Sequence, residues 1–323
     1  MDPALHKAVT QSNLELLNHK LTADPKALLS ITPQENTALH IAARLGHRHI
    51  AERILKECET LMLDNNIDGD TPLHIASKFG KMEVADLLIN YSLEWSIDPE
   101  SEENGPLTAR NKLGNTALHE AVTHGKSDVA LRLLEANPDV GHMLNERKES
   151  PLHIAAREGM EKVVKEILKQ PWVEKEEETQ TSVSGTGSPL HQAVVGGHIK
   201  IVEMLLHLRS DFVKQVDCDG SNALHYAAQN DNAKMVEMLI AKDATLAYYN
   251  NYWGQPPLHV AVLYGSKSAI KAILKHCPDT AEQVAYLFVI IIIIIIIIII
   301  LTFCSSQYSL ETCFWSMISE KPG

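Results

Sequence analysis

One stretch of the chain decides the fold: residues 71–89 read TPLHIASKFGKMEVADLLI. Thr71 suits a helix N-cap, and Pro72 suits the first helical position, where a missing N–H costs no hydrogen bond. Gly80 suits the left-handed residue that ends a short helix. After Gly80 the apolar residues recur at helical spacing and predict a second, amphipathic helix. The stretch therefore predicts two short antiparallel helices.

The word that opens this stretch recurs eight times. Its copies read PALHKA, TALHIA, TPLHIA, TALHEA, SPLHIA, SPLHQA, NALHYA and PPLHVA, with histidines at His6, His40, His74, His119, His153, His191, His225 and His259. Five of the seven intervals between these histidines are 34 residues, one is 38 and one is 45. A period of this length predicts stacked units that bury their apolar faces only against their neighbours.

Most units also carry a glycine at the end of the first predicted helix, where a left-handed residue is expected. These glycines are Gly46, Gly80, Gly125, Gly159, Gly197 and Gly265. Ser12 replaces the glycine in the first unit and Asp231 replaces it in the seventh. We expect imperfect turns at these two positions.

The turn, the helix pair and the T-P-L-H-x-A word together resemble the ankyrin repeat. The resemblance implies an all-α solenoid of about eight repeats over residues 1–280, with a short hairpin turn, here called a finger, before each first helix. It also implies that the eight repeat histidines are structural and form hydrogen bonds within and between units. Two stretches depart from the period, and we expect inserted, solvated loops near residues 91–110 and 174–187.

In solenoids of this kind, partners bind the finger tips and the exposed positions of the first helices. Read in register, these positions are Arg44, Leu45, Lys78, Phe79, Lys112, Leu113, Arg147, Tyr252, Trp253, Leu263 and Tyr264. Tyr252, Trp253 and Tyr264 are the best candidates for a binding anchor, because aromatic residues are enriched at interface hot spots. The alternative is that these rings only cover the terminal repeat.

Composition and motifs argue against other classes of function. With 29 Lys and Arg against 41 Asp and Glu, the net charge of -12 disfavours nucleic acid as a partner. The five cysteines show no metal-ligand spacing, and no phosphate loop, nucleophile elbow or HExxH motif is present. We therefore expect no enzymatic activity, no cofactor, no metal site and no small-molecule substrate.

The last predicted element is a membrane span. Residues 285–304 read AYLFVIIIIIIIIIIILTFC, an uncharged run long enough to cross a bilayer core, and residues 305–323 follow as a short tail. Lys267, Lys271 and Lys275 precede the run, whereas Lys321 is the only basic residue after it. By the positive-inside rule the repeat array faces the cytosol. We expect localisation at the plasma membrane or the endoplasmic reticulum.

An ankyrin array followed by an apolar C-terminal segment is similar to the plant ankyrin-transmembrane family of the accelerated-cell-death type. That resemblance implies a signalling role in defence and cell death. In that family a multi-span PGG domain follows the repeats, and its absence here suggests a truncated product. Two alternatives remain open: a soluble ankyrin adaptor or inhibitor with an artefactual isoleucine tract, or a fragment of a multi-span ankyrin membrane protein.

Overall fold

The computed structural model describes residues 1–95, 105–169, 185 and 187–283, and no β-strand occurs among them. These residues form sixteen α-helices arranged as eight pairs. The pairs are α1 Pro3–Thr10 with α2 Leu14–Ala23, α3 Ala38–Leu45 with α4 Arg48–Glu57, α5 Pro72–Phe79 with α6 Met82–Trp95, α7 Ala117–Thr123 with α8 Ser127–Ala136, α9 Pro151–Arg157 with α10 Glu161–Ile167, α11 Pro189–Val195 with α12 Ile199–Leu208, α13 Ala223–Gln229 with α14 Ala233–Lys242, and α15 Pro257–Tyr264 with α16 Lys267–His276.

Short 3₁₀ helices follow the second helix in five of the repeats. They span Pro25–Leu29, Glu59–Met62, Pro138–Gly141, Ser210–Lys214 and Ala244–Tyr248. Each is one or two turns long and leads the chain back toward the next finger.

The helices stack in two layers. Each first helix contacts the first helix of the next repeat, from α1 through α15, and the second helices stack in the same way from α2 through α16. The repeated alanine that follows the histidine is fully buried in every first helix, which lets the two layers pack closely. The buried apolar side chains therefore form one continuous core along the array, as the period predicts.

Helix starts and ends follow the local signals in the sequence. Thr71 caps α5 by accepting the backbone N–H of His74, and Pro72 occupies the first helical position. Gly80 ends the same helix at φ 64°, and all six glycines at this position have a positive φ. Ser12 and Asp231, which replace the glycine in two repeats, adopt the same left-handed conformation at φ 53°. Both turns therefore form despite the steric cost of a side chain there.

The first inserted loop begins later in the structure than the sequence predicts. Helix α6 continues to Trp95, so the first five residues of the 91–110 stretch are helical, and Ser92 is buried with its Oγ donating to the carbonyl oxygen of Leu88. The helix continues because Tyr91 and Ser92 keep its inner face packed against the core, while Leu93 and Glu94 are exposed. Residues 96–104, and most of the predicted 174–187 loop, lie outside the described residues.

The predicted membrane span at 285–304 and the tail at 305–323 also lie outside the described residues. Among the helices that the structure does describe, none is both long and apolar enough to cross a bilayer. The span therefore stays a prediction from the sequence.

Candidate protein-binding surface

Each finger is organised by one Asn or Asp side chain. Oδ1 of Asn66 accepts the backbone N–H groups of Asp68 and Asp70, both at 2.9 Å. The same pair of bonds forms in four other fingers, around Asn111, Asn145, Asp217 and Asn251. Sequence reasoning missed these residues, although each stands five positions before the helix N-cap. The side chain fixes the turn, so the residues at its tip are displayed in one conformation.

Backbone hydrogen bonds join neighbouring fingers into a row. Lys112 N–H donates to the carbonyl oxygen of Asp68 at 3.1 Å, and Glu146 N–H donates to that of Leu113 at 3.1 Å. The same bond connects Tyr252 N–H to Asp219 at 2.9 Å. The finger tips of the third to fifth repeats, and those of the seventh and eighth, therefore form regularly spaced edges, here together called the finger row.

Five of the predicted binding residues lie on exposed finger tips. Lys112 and Leu113 occupy the fourth finger and Arg147 the fifth, and all three are exposed. Tyr252 and Trp253 occupy the eighth finger, with 76% and 65% of their surfaces exposed. The ring of Tyr252 lies against Gly220 of the preceding finger, where an added Cβ would come within 2.7 Å of it.

The remaining predicted residues lie at the ends of first helices, here called the helix-end row. Arg44 and Leu45 end α3, and Lys78 and Phe79 end α5. All are exposed except Lys78, which is half-buried. The Arg44 guanidinium lies 5.3 Å from the centre of the Phe79 ring, a cation–π contact that joins the second and third repeats.

Leu263 and Tyr264 end α15 and are exposed. Tyr264 stands at the opposite end of α15 from the finger that carries Tyr252 and Trp253. At 1.5 Å per residue that helix is about 12 Å long. The three predicted anchor rings therefore lie on two separate parts of the eighth repeat, the finger tip and the end of α15.

Two further aromatic residues belong to this region and were missed from the sequence. Tyr248 ends the 3₁₀ helix before the eighth finger, and Tyr249 follows it, and both are exposed. Aromatic residues make up 5% of the chain, yet five exposed ones fall within residues 248–264. This concentration marks the eighth repeat as a candidate docking surface.

The repeat histidine holds neighbouring units together beneath this surface. In His40, Nδ1 accepts the backbone N–H of Thr37 at 3.2 Å and lies 2.8 Å from the Thr37 hydroxyl. Nε2 lies 2.9 Å from the carbonyl oxygen of Asp70 in the next repeat. A carbonyl oxygen can only accept, so the proton is on Nε2 and the ring is neutral.

The same arrangement recurs along the array. Nε2 of His74, His119, His191 and His225 donates to a carbonyl oxygen of the next repeat, and Nδ1 of His153 pairs with Ser150 at 2.9 Å. His6 differs, because Pro3 stands where a hydroxyl residue is needed and Asp2 caps the helix instead, leaving His6 exposed. His259 is buried, but Pro256 caps its helix without a side-chain hydrogen bond.

Burial lowers the pKa of these imidazoles. The pKa falls to about 4 for His119, to about 4 for His191 and to about 3 for His153, because a buried imidazolium loses its hydration. The pKa of His40, His74 and His225 is lowered for the same reason. All six rings are therefore neutral structural groups at neutral pH.

Two buried carboxyl groups share one amide between the third and fourth repeats. Nδ2 of Asn111 donates to Oδ1 of Asp70 at 2.8 Å and to Oε1 of Glu120 at 3.1 Å. Asp70 is 2% exposed and Glu120 is 5% exposed. Burial raises the pKa of Asp70, and the nearby Glu120 charge acts in the same direction. No group of three or more His, Cys, Asp or Glu side chains in the described part of the chain could hold a metal ion.

Comparison with known proteins identifies the repeat. The family model described as ankyrin repeats in three copies matches residues 5–103, 55–143, 93–182, 118–216 and 190–283. The chain belongs to the ankyrin-repeat family. An ankyrin array is a protein–protein interaction scaffold, so the finger row and the helix-end row are its candidate binding surface.

Several curated ankyrin proteins are similar to this chain. The NF-kappa-B p105 subunit of Gallus gallus is 30% identical over 173 residues, covering 53% of this chain and 17% of that protein. The Target of rapamycin complex 2 subunit AVO2 of Saccharomyces cerevisiae is 30% identical over 158 residues, covering 49% of this chain and 36% of that protein. Protein ACCELERATED CELL DEATH 6 of Arabidopsis thaliana is 28% identical over 179 residues, covering 50% of this chain and 26% of that protein.

The chain thus spans between 17% and 36% of the length of these ankyrin proteins. Their names describe unrelated processes, so the likeness is one of repeat architecture. The partner of this ankyrin array has to be inferred from its own surface.

Proposed function

We propose that this chain is a non-catalytic, membrane-anchored ankyrin scaffold whose eighth repeat supplies the main anchor for a protein partner. The observation that carries the proposal is the exposure of Trp253 and Tyr252 on a finger tip, at 65% and 76%. Rings of this size are rarely left in solvent without a use, and they give large contact area at low entropic cost.

Hydrogen bonds hold the backbone of the eighth finger in one conformation before any partner binds. The backbone N–H of Trp253 donates to Oδ1 of Asn251 at 3.1 Å, and the N–H of Tyr252 donates to the carbonyl oxygen of Asp219 at 2.9 Å. A preorganised anchor loses less conformational entropy on binding than a mobile loop does. This supports a binding role over a covering role.

The apolar run at 285–304 supports membrane anchoring, and the excess of basic residues before it supports a cytosolic array. We propose residence at the plasma membrane or the endoplasmic reticulum. A role in plant defence and cell-death signalling is supported by the family resemblance and by the likeness to the Arabidopsis thaliana protein named above.

Site-specific photocrosslinking tests the anchor. The photoreactive residue p-benzoylphenylalanine replaces Trp253 in the full-length chain, which is illuminated in detergent-solubilised plant membranes. We expect one or a few discrete crosslinked proteins. The matched control places the same residue at Leu208, which is 52% exposed and ends α12 in the layer of second helices. Equal crosslinking at both positions would contradict a specific anchor at the eighth repeat.

Fractionation tests the membrane anchor separately. The full-length chain is expected in the membrane pellet and to be released by detergent, whereas a chain lacking residues 285–304 is expected in the supernatant. A full-length chain that stays in the supernatant as a monomer would favour the soluble adaptor instead.

A further inference from the structure

The eighth repeat exposes apolar side chains at two positions that every other repeat buries. One position is the third residue after the repeat histidine, and the other is the fifth residue after the position of the helix-ending glycine. Val262 occupies the first and is 39% exposed, and Ile270 occupies the second and is half-buried. The equivalent residues of the first seven repeats are all 0% exposed: Val9, Ala43, Ser77, Val122, Ala156, Val194 and Ala228 at the first position, and Leu17, Ala51, Ala85, Ala130, Val164, Val202 and Val236 at the second.

A following repeat is what covers these two positions. The first repeat has no repeat before it, yet Val9 and Leu17 are buried, so the cover comes from the C-terminal side. After α16 the described residues continue only to Gln283, and no further Leu-His word follows in the sequence. The surface that Val262 and Ile270 mark, here called the end face, therefore stands uncovered in the described part of the chain.

Exposed apolar area continues beside the end face. Leu263 and Tyr264 follow Val262 at the end of α15 and are 57% and 62% exposed. A contiguous apolar surface of this kind on a folded domain marks a docking site.

The eighth repeat also differs from the rest of the chain in its charge. Residues 244–278 contain three lysines and no Asp, Glu or Arg, although the chain has 41 Asp and Glu. Helix α16 is the only one of the eight second helices without a carboxylate. Lys275 pairs with Glu237 of the preceding repeat at 3.2 Å. Lys267 and Lys271 are exposed, and no carboxylate of the described residues forms an ion pair with them. They lie next to Ile270 on α16, so the end face has a positive border.

This combination of side chains suits an anionic lipid surface. The cytosolic leaflet of a membrane is negatively charged and attracts lysines, and tyrosine rings are enriched at the membrane–water interface. A second copy of the chain fits less well, because two positively charged end faces would repel each other.

The end face also lies close to the predicted membrane span. The uncharged run begins at Ala285, two residues after Gln283, which is within about 7 Å along the chain. Helix α16 has 10 residues and is about 15 Å long. No part of the end face is therefore far from the bilayer that this run would enter.

We propose that the end face of the eighth repeat lies on the surface of an anionic lipid bilayer, with Val262 and Ile270 in the interfacial layer and Lys267 and Lys271 at the lipid phosphates. The inference rests on the proposed membrane anchoring of the chain. The finger tip that carries Trp253 stands at the other end of α15 and stays open to a protein partner. Docking of the end face would hold the array in one orientation relative to the membrane.

Photocrosslinking to lipid tests the inference. In the purified full-length chain, p-benzoylphenylalanine replaces Val262, and the protein is reconstituted into vesicles of phosphatidylcholine with about a quarter phosphatidylserine, a composition that gives a negative surface potential. After illumination, an intact mass raised by one phospholipid reports lipid contact. The matched control places the same residue at Val195, which is 43% exposed and ends α11 in the sixth repeat.

We expect at least about fivefold more lipid adduct at position 262 than at position 195, because the lysines hold the end face at the anionic surface. The double variant K267Q and K271Q should lower the adduct at position 262 toward the level at position 195. The control K162Q and K165Q, at exposed positions on α10, should leave it unchanged. Added salt should also lower the adduct, because exposed charges are screened. Circular dichroism should show the same helix content for all of these proteins.

Several results would overturn the inference. These are equal lipid adducts at positions 262 and 195, equal adducts with and without Lys267 and Lys271, or crosslinks from position 262 to a second copy of the chain or to residues 284–323 instead of lipid. If the chain floats with the vesicles on a density gradient but position 262 gives no lipid adduct, the inference fails and the membrane anchor stands. If the chain does not float with the vesicles, both fail.

Discussion

Nε2 of His74 donates to the carbonyl oxygen of Asn115 across 2.8 Å, although 41 residues of chain separate them. The equivalent pair of His40 and Asp70 is separated by 30 residues and bonded at 2.9 Å. The extra residues of the third-to-fourth junction therefore leave the contact between repeats unchanged. The histidine bond is a fixed element of the stack, and its protonation should affect the whole array.

The array should lose stability in acid at pH values well above the folded-state pKa of its buried histidines. Their pKa is lowered on folding, so below about pH 6.5 the unfolded chain gains protons that the folded chain does not. The free energy of unfolding should fall by about 1.4 kcal/mol per pH unit for each such histidine, between about pH 6.5 and 4. Urea unfolding at pH 7.5, 6.0 and 5.0 measures the slope.

His119→Gln should make this slope shallower by one proton, because it removes one histidine whose pKa is lowered on folding. A flat stability profile from pH 7 to 5 would contradict the neutral, buried state of these rings.

Asp70→Asn should stabilise the array at pH 7. The substitution removes a buried charge beside Glu120 and keeps an oxygen that can accept from Asn111. The expected gain is on the order of 1 kcal/mol in the free energy of unfolding. Because the pKa of Asp70 is raised, the gain should shrink as the pH falls and the wild-type carboxyl becomes protonated. Asp68→Asn on the same finger is exposed and should change stability by less than about 0.5 kcal/mol. If Asp70→Asn lowers the free energy of unfolding and Asp68→Asn does not, the buried charge of Asp70 stabilises the array and the prediction is contradicted.

Lys148→Gly should also stabilise the array. Lys148 has φ 61°, at the finger position where Gly69 and Gly114 stand in other repeats. Relief of the left-handed strain should exceed the entropic cost of glycine by roughly 0.5 to 1 kcal/mol. Lys112→Gly, on a finger residue outside the left-handed region, should instead be neutral or destabilising. Thermal unfolding compares the two variants, and a lower melting temperature for Lys148→Gly than for Lys112→Gly would refute the strain argument.

Two glycine variants separate backbone strain from displacement of an aromatic ring. Gly220 has φ 72° and an added Cβ would meet Tyr252, whereas Gly254 has φ 73° and open space around it. Both alanine variants should lose about 1 to 2 kcal/mol from strain. Only Gly220→Ala should also alter the fluorescence of the neighbouring Trp253, because it displaces the Tyr252 ring. Identical stability and spectra for the two variants would contradict the observed contact.

Much of the fold could be predicted from residues 71–89, because helix caps, terminal glycines and apolar spacing are local signals. The extension of α6 to Trp95 is not evident from the sequence, because a departure from the period predicts a loop and does not show that Ser92 is buried. The match to ankyrin repeats confirms the architecture.

The binding surface was less predictable. Alignment of the repeats predicts that residues such as Trp253 are exposed, since exposure depends on the position within the repeat. The Asn111 bridge between Asp70 and Glu120 joins residues far apart in sequence, so no local pattern indicates it. The exposure of Tyr248 and Tyr249 depends on the 3₁₀ helix after α14, which the repeat pattern does not specify.

The most direct test of the scaffold is the affinity of the photocrosslinked partner for Trp253→Ala in the full-length protein. Loss of a buried anchor ring should weaken binding by about 2 kcal/mol or more, roughly thirtyfold. The melting temperature should barely move, because Trp253 is 65% exposed. Leu208→Ala, at a similarly exposed site on the other helix layer, should leave binding unchanged. If Trp253→Ala lowers the melting temperature while the folded variant binds as tightly as before, the ring only covers the last repeat and the account is contradicted.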